Sequence, residues 1–361
     1  MSDKLSFSRL FDRSGFDWSD LECQAGHFRD KTVLVTGAGG SIGSALCLHI
    51  ASLKPCKLVI LGRGEHSLYS VSRHLLAYPD VDFDLALVDI QNLQQLEYTF
   101  ALHKPDVAFH TAAYKHVNIL EQFPSQAVLN NVLGTQNVMR ACQKAGVGRL
   151  VSISTDKAVE PTSILGATKK LCECMLRKHA KNSVTDLVSV RFGNVFRSSG
   201  NVVALFEQQA QNDRRITITD PNAQRFYMDI EDATQTVLCA TKEALSGEVA
   251  ILDMGEPITI GTLADGLVKS LGLNPHDDVH YDYVGLQPGE KLLERLYTDA
   301  EEKSMRRVGP MMFTQTDIGG NVLYDDRAVE ELIDSAFTQD DAQVRSLLTE
   351  TVPGYTPIHS E

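Results

Sequence analysis

Apolar residues along this chain fall into two alternating kinds of segment. Short β-branched runs at 32–36, 57–61, 85–88, 107–110, 150–154 and 187–191 read as strands buried on both faces. Between them, apolar residues recur at helical spacing from the end of a glycine-rich turn to residue 53, and over 67–76, 93–101, 127–145 and 167–179. Strands alternating with helices in this way predict an α/β fold, a Rossmann-type doubly wound parallel sheet. The larger domain is expected over 31–195, after an N-terminal extension at 1–30. Beyond about Asn194 the rhythm changes. Strand-like pieces at 216–218 and 249–253 mix with helices near 202–211, 230–244 and 262–271, and segments at about 227–255 are expected to return to the sheet. A smaller α/β subdomain is therefore expected from 196–226 and 256–349. Pro353, Gly354 and Pro357 mark 350–361 as a tail.

The first strand ends in Gly37-Ala38-Gly39-Gly40-Ser41-Ile42-Gly43 and a helix follows at once. Gly37 allows the tight turn, Gly40 allows backbone to approach a pyrophosphate, and Gly43 lets the helix pack on the strand. The helix amides then face the phosphates. Gly37, Gly39, Gly40, Ser41, Ile42 and Gly43 are accordingly read as dinucleotide-binding, which makes 31–195 the NAD(P)-binding domain. The end of the second strand reads Leu61-Gly62-Arg63-Gly64-Glu65. Gly62 has no carboxylate to bind a 2′-hydroxyl or repel a 2′-phosphate, and Arg63 suits a phosphate. NADP is the expected cofactor, with NAD as the alternative in which Arg63 stacks on adenine and Glu65 takes the ribose. Asp89, with Ile90 beside it, is placed to contact adenine.

Composition narrows the class. Of 361 residues 43% are hydrophobic and 22% charged, as in soluble globular proteins, which excludes disorder. The net charge of −13 argues against non-specific nucleic-acid binding. Seven scattered cysteines, Cys23, Cys47, Cys56, Cys142, Cys172, Cys174 and Cys239, show no disulfide or metal spacing, so reduced thiols and no metal site are expected. No signal-like segment and no run of membrane-spanning length is present in the sequence, so a cytoplasmic location is expected.

The glycine turn, with Ser154-Thr155-Asp156-Lys157-Ala158 and Gly166-Ala167-Thr168-Lys169, resembles the extended short-chain dehydrogenases/reductases. Thr155 and Lys169 match that family's hydroxyl and lysine, whereas Leu165 stands where it carries a tyrosine. His110-Thr111-Ala112-Ala113-Tyr114-Lys115-His116-Val117, Asn130-Asn131-Val132-Leu133-Gly134-Thr135, Arg191-Phe192-Gly193-Asn194-Val195, Leu252-Asp253-Met254-Gly255-Glu256-Pro257 and Pro288-Gly289-Glu290-Lys291 narrow the likeness. Over about 31–300 the chain resembles the nucleotide-sugar 4,6-dehydratases of bacterial polysaccharide biosynthesis. It is most similar to the UDP-N-acetylglucosamine enzymes that retain configuration at sugar carbon 5, which commonly replace the tyrosine by methionine. Many relatives carry an N-terminal membrane domain, and this chain resembles only their catalytic part.

The resemblance implies oxidation at sugar carbon 4, loss of the carbon 5 proton and the carbon 6 hydroxyl, and return of hydride to carbon 6. The cofactor is then tightly bound and recycled. Elimination needs an acid and a base. By this likeness Asp156 protonates the leaving hydroxyl, and Lys157, made neutral by desolvation or a neighbouring cation, takes the carbon 5 proton. Thr155 bonds the carbon 4 oxygen and Lys169 holds the nicotinamide ribose. Ala112, Ala113, Lys115 and Asn131 join the cofactor site. Lys115, His116, Asn194, Arg225, Gln287 and Glu290 join the substrate site. Gln287 replaces a frequent arginine and Asp220 a frequent histidine. An epimerase or oxidoreductase on the same scaffold, or a catalytically silent cofactor-binding protein, is the alternative reading. The likeness also implies a homo-oligomer, at least a dimer, paired through the helices at 127–145 and 167–179, with Val128, Val132, Val138, Met139 and Cys142 at helical spacing.

Overall fold

The computed structural model describes residues 6–13, 16–18, 27–315 and 324–358. Cys23, half of the expected N-terminal extension and the last three residues of the expected tail lie outside the described residues.

Seven apolar runs form a parallel sheet: β1 (Thr32–Thr36), β2 (Lys57–Gly62), β3 (Phe83–Leu87), β4 (Val107–His110), β5 (Arg149–Ile153), β6 (Asp186–Arg191) and β7 (Val249–Leu252). Two strands that the sequence pattern did not single out, β8 (Arg306–Val308) and β9 (Met311–Thr314), turn at Gly309, whose φ is +53°, and add an antiparallel edge. The order is β8-β9-β7-β6-β5-β4-β1-β2-β3, so the direction of winding reverses between β1 and β4. A crevice opens at the carboxyl ends of the strands at such a point, and ligands bind there.

Helix α1 (Ser41–Ser52) follows the glycine turn. The expected helix at 127–145 is two helical pieces, Pro124–Ala127 and α2 (Gly134–Ala145), joined by a π-helical turn over Val128–Leu133. Helix α3 (Ile164–Ala180) starts three residues earlier than the periodicity predicts, because the Ser163 hydroxyl caps it by accepting from the Gly166 amide at 3.1 Å. That start puts Leu165 and Lys169 one turn apart on the same face. Near the turn that follows β5, fully buried Arg191 binds Glu173 of α3 at 2.6 Å and Glu301 at 3.1 Å, so this arginine of the matching motif is structural.

The C-terminal region corrects two expectations. Helices α4 (Asp326–Phe337) and α5 (Asp341–Thr351) lay their apolar stripes, including Leu332, Ile333, Leu347 and Leu348, over Val128, Val132, Ile164, Leu171 and Met175. Val138, Met139 and Cys142 pack inward against Leu34, Ala108 and Leu150. The stripe expected to face a second subunit is thus buried within one chain. Nor is the segment after Thr351 a loose tail. Tyr355 is buried, and the amides of Thr356 and Ile358 donate to the carbonyls of Pro161 (3.0 Å) and Thr162 (3.2 Å), while the Gly289 amide donates to Ile358 (2.9 Å).

Candidate active site

The glycine turn is shaped by close approach. Gly37 has φ +68°, and a Cβ there would lie 2.5 Å from the Ala112 amide nitrogen. A Cβ on Gly43 would lie 2.2 Å from the Gly37 carbonyl oxygen, and one on Gly39 2.3 Å from the Ser67 hydroxyl. These glycines leave a cradle that any side chain would fill. Below it, His110 is buried between the hydroxyls of Thr36 (2.8 Å) and Thr135 (3.0 Å). Burial, with Lys169 nearby, pushes its imidazole down to about 3, so it is neutral and ties β4 to β1 and α2.

Three adjoining clefts run along the sheet crevice. The first, about 340 Å³, is lined by Gly37, Gly39, Gly40, Arg63, Asp89, Ile90, Ala112 and Ala113, with Gly62, Ser67 and Tyr114. The Arg63 guanidinium stacks 4.8 Å from the Tyr114 ring centroid, donates to the Tyr114 hydroxyl and lies 3.5 Å from Asp89. Glu65, the first residue of the helix Glu65–Leu75, is exposed and does not line this cleft. Asn131 does not line it either. Its side chain clamps the Tyr114 backbone, accepting from the amide (2.8 Å) and donating to the carbonyl (3.1 Å), so it acts through Tyr114.

The second cleft, about 480 Å³, holds Gly40, Ser41, Ile42, Gly43, Ala113, Lys115, His116, Thr155, Lys157, Leu165, Lys169 and Asn194. A loop absent from the sequence reading, Ser198 to Asn201, walls it: the Ser199 amide donates to the Ser41 hydroxyl at 2.9 Å, and Lys115 Nζ lies 3.4 Å from the Ser198 hydroxyl. Burial lowers the pKa values of Lys169 and Lys115, and burial followed by Lys115 lowers that of His116. The third cleft, about 820 Å³, is lined by Lys115, His116, Lys157, Asn194, Arg225, Gln287 and Glu290, and also by Tyr227 and Glu294.

Lys157 alone of the Thr155–Asp156–Lys157 trio lines both the second and third clefts. Asp156 lies fully buried behind it, lining neither; its Oδ1 accepts from Lys157 Nζ (3.1 Å) and from the Thr155 hydroxyl (3.0 Å), and its Oδ2 has no hydrogen-bond partner. Lys157 departs from the sequence expectation of a neutral amine. Burial on its own would lower its pKa, but Asp156 and Glu294 together outweigh burial and the neighbouring Arg225, and the net shift is upward. In the resting site Lys157 is an ammonium ion. Glu294 belongs to none of the motifs singled out in the sequence; its carboxylate, on a loop, is 3.8 Å from Lys157, which sits in a single 3-10 turn, Asp156–Ala158. Gln287 does not act as the arginine it replaces: its side chain donates to the Gly285 carbonyl (3.2 Å), and its amide is held by Glu290 (3.1 Å). Among the described residues, no group of three His, Cys, Asp or Glu side chains is placed to hold a metal, and no helix is long and apolar enough to cross a membrane.

Residues 33–316 match the family described as polysaccharide biosynthesis protein. The chain belongs to that family. The chain is 40% identical over 285 residues to the capsular polysaccharide biosynthesis protein CapD of Staphylococcus aureus, covering 78% of the chain and 47% of CapD. The chain thus spans about half the length of that relative. It is 31% identical to a UDP-glucose 4-epimerase of Rickettsia canadensis over 78% of the chain and 82% of the epimerase. The structure of Pen from Bacillus thuringiensis superimposes with a TM-score of 0.74 at 32% identity, covering 81% of this chain and 90% of Pen. The fold is that of the short-chain dehydrogenases/reductases.

Proposed function

We propose that this chain is a nucleotide-sugar 4,6-dehydratase acting on UDP-N-acetylglucosamine, with NADP as its dinucleotide. The observation that carries the reading is Lys157, an ionisable side chain at the junction of two clefts with a buried carboxylate directly behind it. The glycine cradle and the first cleft fit a dinucleotide: Gly37, Gly39, Gly40 and the α1 amides at its pyrophosphate, Arg63 and Asp89 at its adenosine, Lys169 at its nicotinamide ribose. Bound there, a nicotinamide dinucleotide supplies a hydride acceptor for sugar carbon 4 and a donor for carbon 6. The third cleft, with Arg225 and Lys115, suits a diphosphate and its nucleoside.

Within that frame the side chains divide the work. Thr155 bonds the carbon 4 oxygen and passes the proton released on its oxidation to Asp156, whose Oδ1 accepts from the Thr155 hydroxyl at 3.0 Å. Lys157, once it has shed its proton to solvent, takes the proton from carbon 5, which the carbon 4 ketone has acidified. Asp156, which lines neither cleft in the resting site, gives the proton it has received to the carbon 6 hydroxyl, which leaves as water, once its unpartnered Oδ2 turns towards the bound sugar. Lys157 then returns a proton to carbon 5 as carbon 6 becomes a methyl group, so Lys157 ends as an amine and Asp156 as a carboxylate, as both entered the cycle. Leu165, buried beside Lys169, offers no phenol for ordinary hydroxyl oxidation, which favours elimination over the activity named for the Rickettsia relative. Mass spectrometry of the sugar nucleotide after incubation separates the two readings. Loss of one water from UDP-N-acetylglucosamine is expected. Unchanged mass with an altered sugar would establish an epimerase.

A further inference from the structure

Glu294 is a carboxylate that neither the sequence motifs nor the mechanism above employs. It belongs to the segment following Pro288-Gly289-Glu290-Lys291, which is fastened at two places. The Gln224 amide donates to the Leu292 carbonyl at 2.7 Å, and the Lys291 ammonium donates to the Val159 carbonyl at 2.6 Å, just past the catalytic loop. Just past these anchors the Glu294 side chain is 3% exposed, yet it contributes to the wall of the larger cleft. Its two oxygens address different cations: Oε1 lies 3.8 Å from Lys157 Nζ and Oε2 lies 3.5 Å from Lys291 Nζ, while Oε2 has no hydrogen-bond donor. A buried carboxylate without full hydrogen bonding is costly. Its place between two ammonium groups offsets that cost and holds both lysines.

We infer that Glu294 is a positioning residue of the active site, whose buried carboxylate holds Lys157 at the junction of the clefts and sets the pH at which Lys157 becomes able to accept a proton. The inference deepens the dehydratase reading, in which Lys157 is the base, but the charge relation stands on the geometry alone. The groups facing Lys157 are Asp156 at 3.1 Å, Glu294 at 3.8 Å, Arg225 across the third cleft, buried Tyr227, and Lys115, which shares both cleft walls; Lys291 acts from behind Glu294. The two carboxylates favour the ammonium form, and Arg225 and Lys291 oppose it. An opposite charge within about 4–6 Å moves a titration by about one to three pH units. Asp156 is in direct contact with both Lys157 and Thr155, so it fixes the charge and the shape of the loop together. Glu294 touches Lys157 from another segment, so its charge can be removed without cutting the loop's own hydrogen bonds.

The test is the pH dependence of Lys157 acetylation by a small anhydride, read by peptide mass spectrometry on the full chain, with exposed Lys54 as internal reference. Glu294→Gln keeps the side chain's size and removes its charge, and should lower the Lys157 midpoint by about one pH unit, a roughly tenfold gain in reactive amine below the midpoint. Lys291→Gln removes the opposing cation and should raise that midpoint. Opposite signs from two neighbouring substitutions are not produced by a general loosening of the segment, and Glu294→Asp should return the midpoint towards that of the unaltered chain. In turnover with UDP-N-acetylglucosamine, Glu294→Gln should move the acid limb of kcat to lower pH and reduce the plateau. An unchanged Lys157 midpoint in Glu294→Gln, or shifts of the same sign in both variants, overturns the inference. Absence of dehydration by the unaltered chain, with the two midpoints moving apart as expected, would instead overturn the dehydratase reading and leave the role of Glu294 standing.

Discussion

Lys157 carries the catalytic account, and its charge is the feature that residue identity alone got wrong. An Asp-Lys dipeptide at a strand end is legible as an acid–base pair, but the charge on the lysine depends on Asp156 together with Glu294, which folding brings in from far along the chain. Because Asp156 and Glu294 raise its pKa, deprotonation of Lys157 requires rising pH, so turnover should climb with pH across the neutral and mildly alkaline range. Lys157→Ala and Asp156→Asn should each lower turnover by at least about a hundredfold, the usual size of a general acid or base contribution. Dinucleotide affinity should stay unchanged, since neither residue lines the first cleft. Equilibrium binding beside turnover checks both halves, and near-normal turnover by Asp156→Asn would remove it from the acid role. Cofactor choice is also argued residue by residue. Gly62 leaves room for a 2′-phosphate, and the Arg63 guanidinium, poised over Tyr114, is free to turn from its exposed 3.5 Å pairing with Asp89. A charge-assisted hydrogen bond of about 1.5–3 kcal/mol corresponds to about a tenfold to hundredfold preference for NADP. Arg63→Ala should erase it. Tighter binding of NAD by the unaltered chain, measured by titration, would contradict the assignment.

At the scale of elements, the parallel strands were legible because strands covered on both faces are continuous apolar runs. β1 and β4 fall on the residues their runs marked. The start of α3 was not, because capping by Ser163 is a side-chain hydrogen bond rather than a periodicity. The docking of Thr356 and Ile358 left no trace in the sequence at all, since it is made by backbone groups that every residue but proline carries. α4 and α5 do carry helical apolar spacing, and that signal was present but unread. The pairing of β6 with α3 through Arg191, Glu173 and Glu301 has a measurable consequence. Arg191 holds the Glu301 carboxyl well below its ordinary value near 4.5, at about 2. A carboxyl with a depressed folded-state pKa contributes stability above its unfolded value, and that contribution is lost as pH falls through the folded value. Denaturant midpoints should therefore decline between about pH 4.5 and pH 2. Glu301→Gln should destabilise by about 3 kcal/mol or more at neutral pH, because Arg191 is left without half of its countercharge. The gap between the two proteins should close towards pH 2. A pH-independent gap would contradict the assignment.

Across the whole molecule, the arrangement that matters is the C-terminal pair of helices lying on the face that the family resemblance assigns to subunit pairing. The homo-oligomer proposed from that resemblance has to be built on another face, since Val128 and Val132 are covered by the chain itself. Removing residues 324–361 should uncover these and Ile164, Leu171 and Met175, each worth about 1.5–3 kcal/mol in burial. The shortened chain should self-associate beyond the full chain when the two are compared by light scattering, and equal masses would show that the helices are not a cover.

The central claim is that the two clefts meeting at Lys157 carry out elimination across sugar carbons 5 and 6, and one incubation tests it directly. With UDP-N-acetylglucosamine and cofactor in deuterium oxide, a base at carbon 5 exchanges its proton with solvent, while hydride passes from carbon 4 to carbon 6 within one site. Mass spectrometry and carbon-resolved NMR should show a product that has lost one water and gained solvent deuterium at carbon 5. A product of undiminished mass, or one without deuterium at that carbon, would contradict the account.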